Sequence, residues 1–163
     1  MRRVVIFGNS GSGKSTLAKE IAEREQLSHL DLDTLAWLPD SPPERRPLQE
    51  SEQDIAGFVE SHEGWVIEGC YADLINMVLP ESTEIFFMDL SIDDCIANTK
   101  SRPWERHKYG SKEAQDANLP MLIEWISQYR EREGPFSRTE HEALFETYPG
   151  KKTLVTSNDR KTS

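Results

Sequence analysis

Eight consecutive residues, Gly8-Asn9-Ser10-Gly11-Ser12-Gly13-Lys14-Ser15, fit the pattern G-x-x-x-x-G-K-[ST] at every fixed position. The glycines at 8, 11 and 13 let the backbone curl so that successive peptide N–H groups face inward and form an anion nest. A helix beginning near Lys14 would aim the positive end of its dipole at the same spot. Lys14 could then reach the β- and γ-phosphates of a nucleotide, and the Ser15 hydroxyl could ligate Mg²⁺. Ser10, Ser12 and Thr16 complete the polar lining of such a loop. The flanks suit this reading. Val4-Val5-Ile6-Phe7 enters the loop as a strand, and Leu17, Ile21 and Ala22 leave it at helical spacing. A chance Gly/Ser turn would carry no such flanks, so this is a nucleotide-phosphate site.

Three carboxylates could work beside it. Leu27 to Asp33 reads as a second strand with Leu30 and Leu32 on one face, which puts Asp31 and Asp33 together on the other. They stand near the carboxyl end of the strand, the edge of an open α/β sheet where ligands bind. There they could order the waters of Mg²⁺ or accept a proton from a substrate hydroxyl. Trp65-Val66-Ile67 is a short buried strand that runs into Glu68-Gly69 and brings a third carboxylate to that edge. Two groups of cations complement them. Arg45-Arg46 sits in Trp37 to Pro47, whose four prolines exclude regular structure; it reads equally as a clamp on an anionic acceptor or as a solvated loop. Lys100, Arg102, Arg106, Lys108 and Lys112 fall within thirteen residues broken by Pro103 and Gly110, a composition suited to a mobile segment that closes over phosphates.

The positioning elements follow from periodicity. Strands are expected over residues 2–7, 27–33, 65–67, 84–89 and 153–156. The first helix runs from near Lys14 to near Glu25, and a second, capped by Ser51, runs to His62. Ala72 to Leu79 is a short helix stopped by Pro80, and Ser91 caps another that ends near Ser101. Leu122, Ile123, Ile126 and Tyr129 share one face of a helix to about Arg132, which Pro120 either opens or kinks. Ser137-Arg138-Thr139-Glu140 is a capping box for a last helix to about Tyr148.

Composition narrows the function classes. With 19 basic and 29 acidic residues in 163 the formal charge is 19 − 29 = −10, which disfavours nucleic acid and anionic membrane as partners. No apolar run approaches the ~20 residues of a membrane helix, and Val4 to Phe7 is too short for a secretory signal. Cys70 and Cys95 lack metal-ligand spacing and read as reduced thiols of a cytoplasmic protein.

Taken together, these pieces resemble the P-loop small-molecule kinases, the group of adenylate, shikimate and gluconate kinases, across almost the whole chain. The nearest likeness is to the adenylate-kinase-related topology-modulation branch. Leu32-Asp33-Thr34-Leu35-Ala36-Trp37 is similar to that branch's Leu-Asp-x-Leu-x-Trp segment, and Asp31 with Asp33 resembles the Asp-x-Asp of shikimate kinases. Trp65 to Gly69 resembles the Asp-Gly strand end of adenylate kinases, with Glu68 in the acidic position. Cys70-Tyr71-Ala72 departs from their Phe-Pro-Arg, and Asn98 stands where they often carry an arginine near the adenine. The resemblance implies one three-layer α/β/α domain over 1–163, with five parallel strands ordered 2-3-1-4-5. It further implies a substrate-side insertion at 33–62, a lid at 101–113 and an adenine loop from Ser157 to Arg160 that includes Asn158. The activity implied is Mg²⁺-dependent transfer of the ATP γ-phosphoryl to a small-molecule acceptor by a monomer or homodimer. Asp33 would serve the acceptor, with Arg45 and Arg46 on its side; Ser15, Asp31 and Glu68 would attend the metal; Arg102 and Arg106 would neutralise charge on the transferring oxygens. The rivals are an ATPase and a nucleotide-switched binding protein that phosphorylates no small molecule. Lys14→Ala should abolish detectable ATP turnover, measured as phosphate release, because no other lysine lies inside the nest; unchanged turnover and nucleotide affinity would refute the loop reading.

Overall fold

The computed structural model describes residues 1–38, 44–106 and 108–158. Five strands form one sheet: β1 (Arg3–Gly8), β2 (Ser28–Asp31), β3 (Trp65–Gly69), β4 (Glu84–Met88) and β5 (Lys151–Val155). Their order is β2-β3-β1-β4-β5 and every neighbouring pair is parallel. The helices are α1 (Lys14–Glu25), α2 (Leu48–Ser61), α3 (Ala72–Val78), α4 (Ile92–Lys100), α5 (Lys112–Ser127) and α6 (Arg138–Thr147).

Alternation along β1 explains the layers. Val4 and Ile6 face Leu17, Ile21, Cys95 and Ile126, from α1, α4 and α5. Val5 and Phe7 face Ile55, Leu74 and Ile75 of α2 and α3, with Leu144 and Phe145 of α6 packed alongside. Helices therefore cover both faces, which is why β1 reads as a continuous apolar run. The three-layer α/β/α expectation and the strand order are both met. Because all strands are parallel, Gly8, Asp31, Gly69 and Met88 leave the sheet at one edge, with Asp31 opposite Glu68 in register. No helix among the described residues is long and apolar enough to cross a membrane.

Three elements differ from their expected bounds. The second strand ends at Asp31 rather than Asp33, because the Asp31 carboxylate accepts the Asp33 N–H at 2.9 Å and turns Leu32–Thr34 into a 3₁₀ turn. Asp31 and Asp33 thus do not share a strand face. The second helix starts at Leu48, after Pro47, and Ser51 is no cap: it is fully buried and donates to the Leu35 carbonyl at 3.0 Å. The fifth helix begins at Lys112, with the Ser111 hydroxyl accepting from Ala114 N–H, carries Pro120 inside it and ends at Ser127. Lys112 therefore belongs to a helix, not to the irregular segment. The other helix starts agree with the caps read from sequence: Ser91 and Ser137 accept from Asp94 and Glu140 N–H. Residues 39–43, within the proline-rich stretch, lie outside the described residues, as do His107 and the predicted loop residues Asp159 and Arg160.

Between α6 and the end of β3 lies a fully buried imidazole, His141. Its Nε2 is 2.9 Å from the Cys70 carbonyl and its Nδ1 is 2.6 Å from the Tyr129 hydroxyl. A carbonyl only accepts, so Nε2 carries the hydrogen and Nδ1 accepts from Tyr129: the neutral ring is satisfied at both nitrogens. Burial pushes its pKa down to about 4. Between that value and the unfolded one near 6.5, the unfolded chain binds more protons, so this residue's contribution to stability is full above ~6.5 and lost as pH falls. His141→Gln keeps a donor and an acceptor but does not titrate. The stability difference between wild type and this variant, from urea unfolding, should therefore shift by up to about 3 kcal/mol against wild type from pH 7 to pH 4. A pH-independent difference would refute the neutral-histidine assignment.

Candidate functional site

The glycine-rich loop curls out of β1 through two residues that only glycine fits. Gly11 has φ +78° and a Cβ there would lie 2.4 Å from the Cys95 carbonyl oxygen; Gly13 has φ +88° and its Cβ would lie 2.5 Å from Asn158 Nδ2. The loop carbonyls are tied on its outer side. Asn98 Nδ2 donates to Gly11 O at 2.9 Å, Asn158 Nδ2 to Ser12 O at 3.1 Å, and Leu17 N–H to Gly13 O at 3.1 Å. Asn98 also donates to Asn158 Oδ1 at 2.6 Å. With the carbonyls of Gly11, Ser12 and Gly13 engaged in this way, and the Asn9 carbonyl accepting from Ser12 N–H at 3.3 Å, the turn is suited to present its remaining N–H groups to an anion. Lys14 Nζ donates to Asn9 O at 2.7 Å, and the Ser12 hydroxyl is buried with no partner among the described residues.

The loop forms one wall of a cleft of about 100 Å³, with Ser10, Gly11, Gly13, Lys14, Ser15 and Thr16 on its side and Asp33, Glu68 and Lys108 opposite. Asp33 holds a branched network. One carboxylate oxygen accepts from the Tyr71 hydroxyl, which in turn accepts from Trp37 Nε1 at 2.7 Å. The other lies 2.8 Å from Lys108 Nζ. That ammonium is also 3.8 Å from Asp31 and 3.7 Å from Glu105. Glu68, almost fully buried, meets His29 Nε2 at 3.0 Å.

These contacts divide the two aspartates. Burial, then the charges of Glu68 and Asp33, pushes Asp31 up to about 6. Burial acts upward on Asp33 most strongly of any single cause, but the charge and hydrogen bond of Lys108, the Tyr71 hydroxyl and the charge of Lys14 together outweigh it and hold that carboxyl below its usual range. Lys108 itself is held above the ordinary lysine value, since the attraction of Asp33 and Asp31 exceeds the cost of burial. Burial pushes the Cys70 thiol up to about 12, so it stays protonated beside the cleft. Both cysteines are free.

The structure thus gathers the loop residues, Asp33 and Glu68 around one cleft and sets Asp31 beside Glu68 behind Lys108. The other sequence candidates go elsewhere. Arg102 pairs with Glu105 at 3.0 Å, and Arg106 lies over the Trp104 ring at 4.9 Å. Arg45 pairs with Asp73 at 3.3 Å and stacks over Tyr71; Arg46 bonds the Leu35 carbonyl at 3.0 Å and Asp54 at 2.7 Å. Asn158 buttresses the loop from behind. Among the described residues no group of three or more His, Cys, Asp and Glu is arranged to hold a metal by itself. Lys108 was legible only as one of five cations in its segment, and Tyr71 only as a departure from adenylate kinases. Nothing in the sequence pointed to Arg132, whose guanidinium lies 3.7 Å over the Trp125 ring and 3.5 Å from Asn9 Oδ1.

Comparison with known proteins agrees with this architecture. No family model matches the chain. Over 133 residues, 78% of this chain and 72% of the relative, it is 27% identical to YqaC, an uncharacterized protein of Bacillus subtilis (strain 168). Among solved structures it is similar to a sugar kinase from Janibacter sp. HTCC2649, with 13% identity, a TM-score of 0.54, and 96% of this chain and 85% of that one covered. It is similar to shikimate kinase from Bacteroides thetaiotaomicron at 14% identity and a TM-score of 0.54, covering 99% and 89%. A gluconokinase from Sinorhizobium meliloti 1021 shares 16% identity at a TM-score of 0.54, covering 98% and 84%. The chain has the fold of these P-loop kinases.

Lys108 is the cation that Asp31 and Asp33 share, so its removal has a predictable pH signature. In Lys108→Met the Asp31 pKa should climb further above its present value of about 6. A raised folded pKa gives stability that is present at low pH and lost as pH rises through it. Asp33, no longer held down by the ammonium, should rise as well, so thermal unfolding should find the variant losing stability against wild type progressively from pH 3 to pH 8, by about 1–2 kcal/mol at pH 8, a figure discounted for partial exposure. A loss of the same size at every pH from 3 to 8 would mean that the lysine acts by packing alone.

Proposed function

We propose that this protein transfers the γ-phosphoryl group of ATP to a hydroxyl of a small molecule. The observation that carries this reading is the cleft itself, with a phosphate-binding loop and Lys14 on one wall and the Asp33 carboxylate on the other. The loop suits a triphosphate: its glycine curl leaves no room for a Cβ at Gly11 or Gly13, and its carbonyls are already bound on the far side. Ser15 would ligate Mg²⁺, with Asp31 and Glu68 on its water shell, and the ion would supply charge neutralisation between the phosphates. Kinship with the topology-modulation branch is part of the same proposal, supported by the Leu32–Trp37 segment around Asp33.

In this reading Lys14 leaves the Asn9 carbonyl for the phosphate oxygens. Asp33 accepts the proton of the acceptor hydroxyl as that oxygen bonds to the γ-phosphorus, and the bond to the β-bridging oxygen breaks to release ADP. While Lys108 is paired with Asp33 the carboxylate is a weak base. Drawn to the transferring phosphoryl, the lysine would both release Asp33 and offset the charge that spreads over the γ-oxygens. Arg102 and Arg106 would assist only by exchanging Glu105 and Trp104 for phosphate.

Asp33→Asn tests this directly. Nucleotide affinity, by calorimetry, should be retained, while transfer to the acceptor falls about 10²–10⁴-fold and background hydrolysis changes far less. Equal loss of hydrolysis and transfer would assign Asp33 to the metal's water shell. Loss of neither would leave an ATPase or a nucleotide-switched binder as the better account.

A further inference from the structure

The acceptor side of the cleft is short of free positive charge. Arg45 is paired through one terminal nitrogen with Asp73 at 3.3 Å and sits over the Tyr71 and Phe136 rings at 5.0 and 5.4 Å, its buried Nε without a partner among the described residues. Arg46 is held by the Leu35 carbonyl and by Asp54 at 2.7 Å. Arg132 has all three guanidinium nitrogens engaged, by the carbonyls of Phe136 and Trp125 and by Asn9 Oδ1. Lys108 is shared by Asp33, Asp31 and Glu105. What faces Lys14 is thus a wall with two carboxylates, Asp33 and Glu68, against one lysine, with Asp31 next to Glu68 on the neighbouring strand.

Beside this wall stands an aromatic platform. Trp37 is 38% exposed, unusual for so large an apolar ring, and its Nε1 donates to the Tyr71 hydroxyl that itself donates to Asp33. An exposed indole next to a hydrogen-bonded carboxylate suits a molecule with apolar C–H faces and hydroxyl edges. A phosphate or carboxylate on the acceptor would meet repulsion from Asp33 and Glu68, while Arg45, Arg46 and Arg132 beside this wall are already held by Asp73, by Asp54 and by backbone carbonyls.

We propose that the acceptor is an uncharged polyhydroxyl compound of the sugar or polyol class, and that this cleft selects against anionic acceptors. The inference rests on the phosphoryl-transfer reading above. Its test uses pairs with a common carbon frame: a hexose against its aldonate and its 6-phosphate, and a pentose against its 5-phosphate. ADP release above the basal rate reads turnover, and saturation-transfer NMR with a non-hydrolysable ATP analogue reads binding independently. The uncharged members should be favoured at least tenfold in kcat/KM and should show the binding signal. Preference for the anionic members in either readout overturns this inference and leaves phosphoryl transfer standing. Absence of turnover and binding across every pair, with nucleotide bound, overturns the transfer reading and this inference with it. A second variant, Asp73→Asn, removes the counter-charge of Arg45, and with its fold verified by circular dichroism it should improve the anionic members at least tenfold relative to the uncharged ones. An unchanged ratio would overturn the claim that paired arginines set the selection.

Discussion

An anion nest works only if its carbonyls are somewhere else, and most of this structure serves that constraint. The loop between β1 and α1 turns through left-handed conformations at Gly11 and Gly13, which points successive peptide groups to opposite sides. The carbonyls of Gly11, Ser12 and Gly13 are then captured by Asn98, Asn158 and Leu17. These partners come from α4, from the end of β5 and from α1, so the loop's shape depends on elements up to 146 residues away in sequence. Neutral amides suit the task. An arginine at position 98 would place a charge behind the nest, whereas Asn98 supplies a donor to Gly11 and another contact to Asn158 with none.

The second organising interaction is the ammonium of Lys108 among the carboxylates of the opposite wall. Three acids at one sheet edge would repel each other, and their different environments resolve this in different ways. Glu68 is buried against His29, Asp31 rises toward neutrality, and Asp33 stays ionised because Lys108 lies 2.8 Å away. The carboxylate's proton affinity therefore depends on where one lysine sits. Tyr71 fixes its orientation from the other side, and burial keeps that hydroxyl protonated and donating. In the proposed reaction, a carboxylate held by two donors would be ordered but weakly basic, and withdrawal of one donor would strengthen it without losing the order.

Packing joins the two walls. The end of β3 delivers Glu68 and Gly69 to the cleft, and the next carbonyl, that of Cys70, is anchored by the buried neutral His141. His141 packs against Phe7 and Phe87, so the segment that carries Tyr71 is tied to the strands that carry the loop. Arg132 performs a similar service at the other end, bridging the turn after α5 to Asn9.

Much of this was determined by the sequence alone. Complete periodic patterns specified five strands and both covered faces of β1, and the G-x-x-x-x-G-K-[ST] run specified the loop, because local backbone freedom and helix polarity are properties of adjacent residues. Serine caps at positions 91, 111 and 137 act over three residues, and two of them, Ser91 and Ser137, were legible for the same reason. The misread details were those in which a side chain chose between near and distant partners. Asp31 capped a turn instead of continuing a strand, and Ser51 was buried under the Leu35 carbonyl instead of opening a helix. Only tertiary structure decided which cations reach the cleft. Five basic residues between 100 and 112 and the Arg45–Arg46 pair are alike in sequence, yet Glu105, Trp104, Asp73 and Asp54 occupy four of them while Lys108 meets Asp33 across 75 positions. Charge pairing acts through space and through partial burial, and neither can be read from a residue's neighbours in the chain.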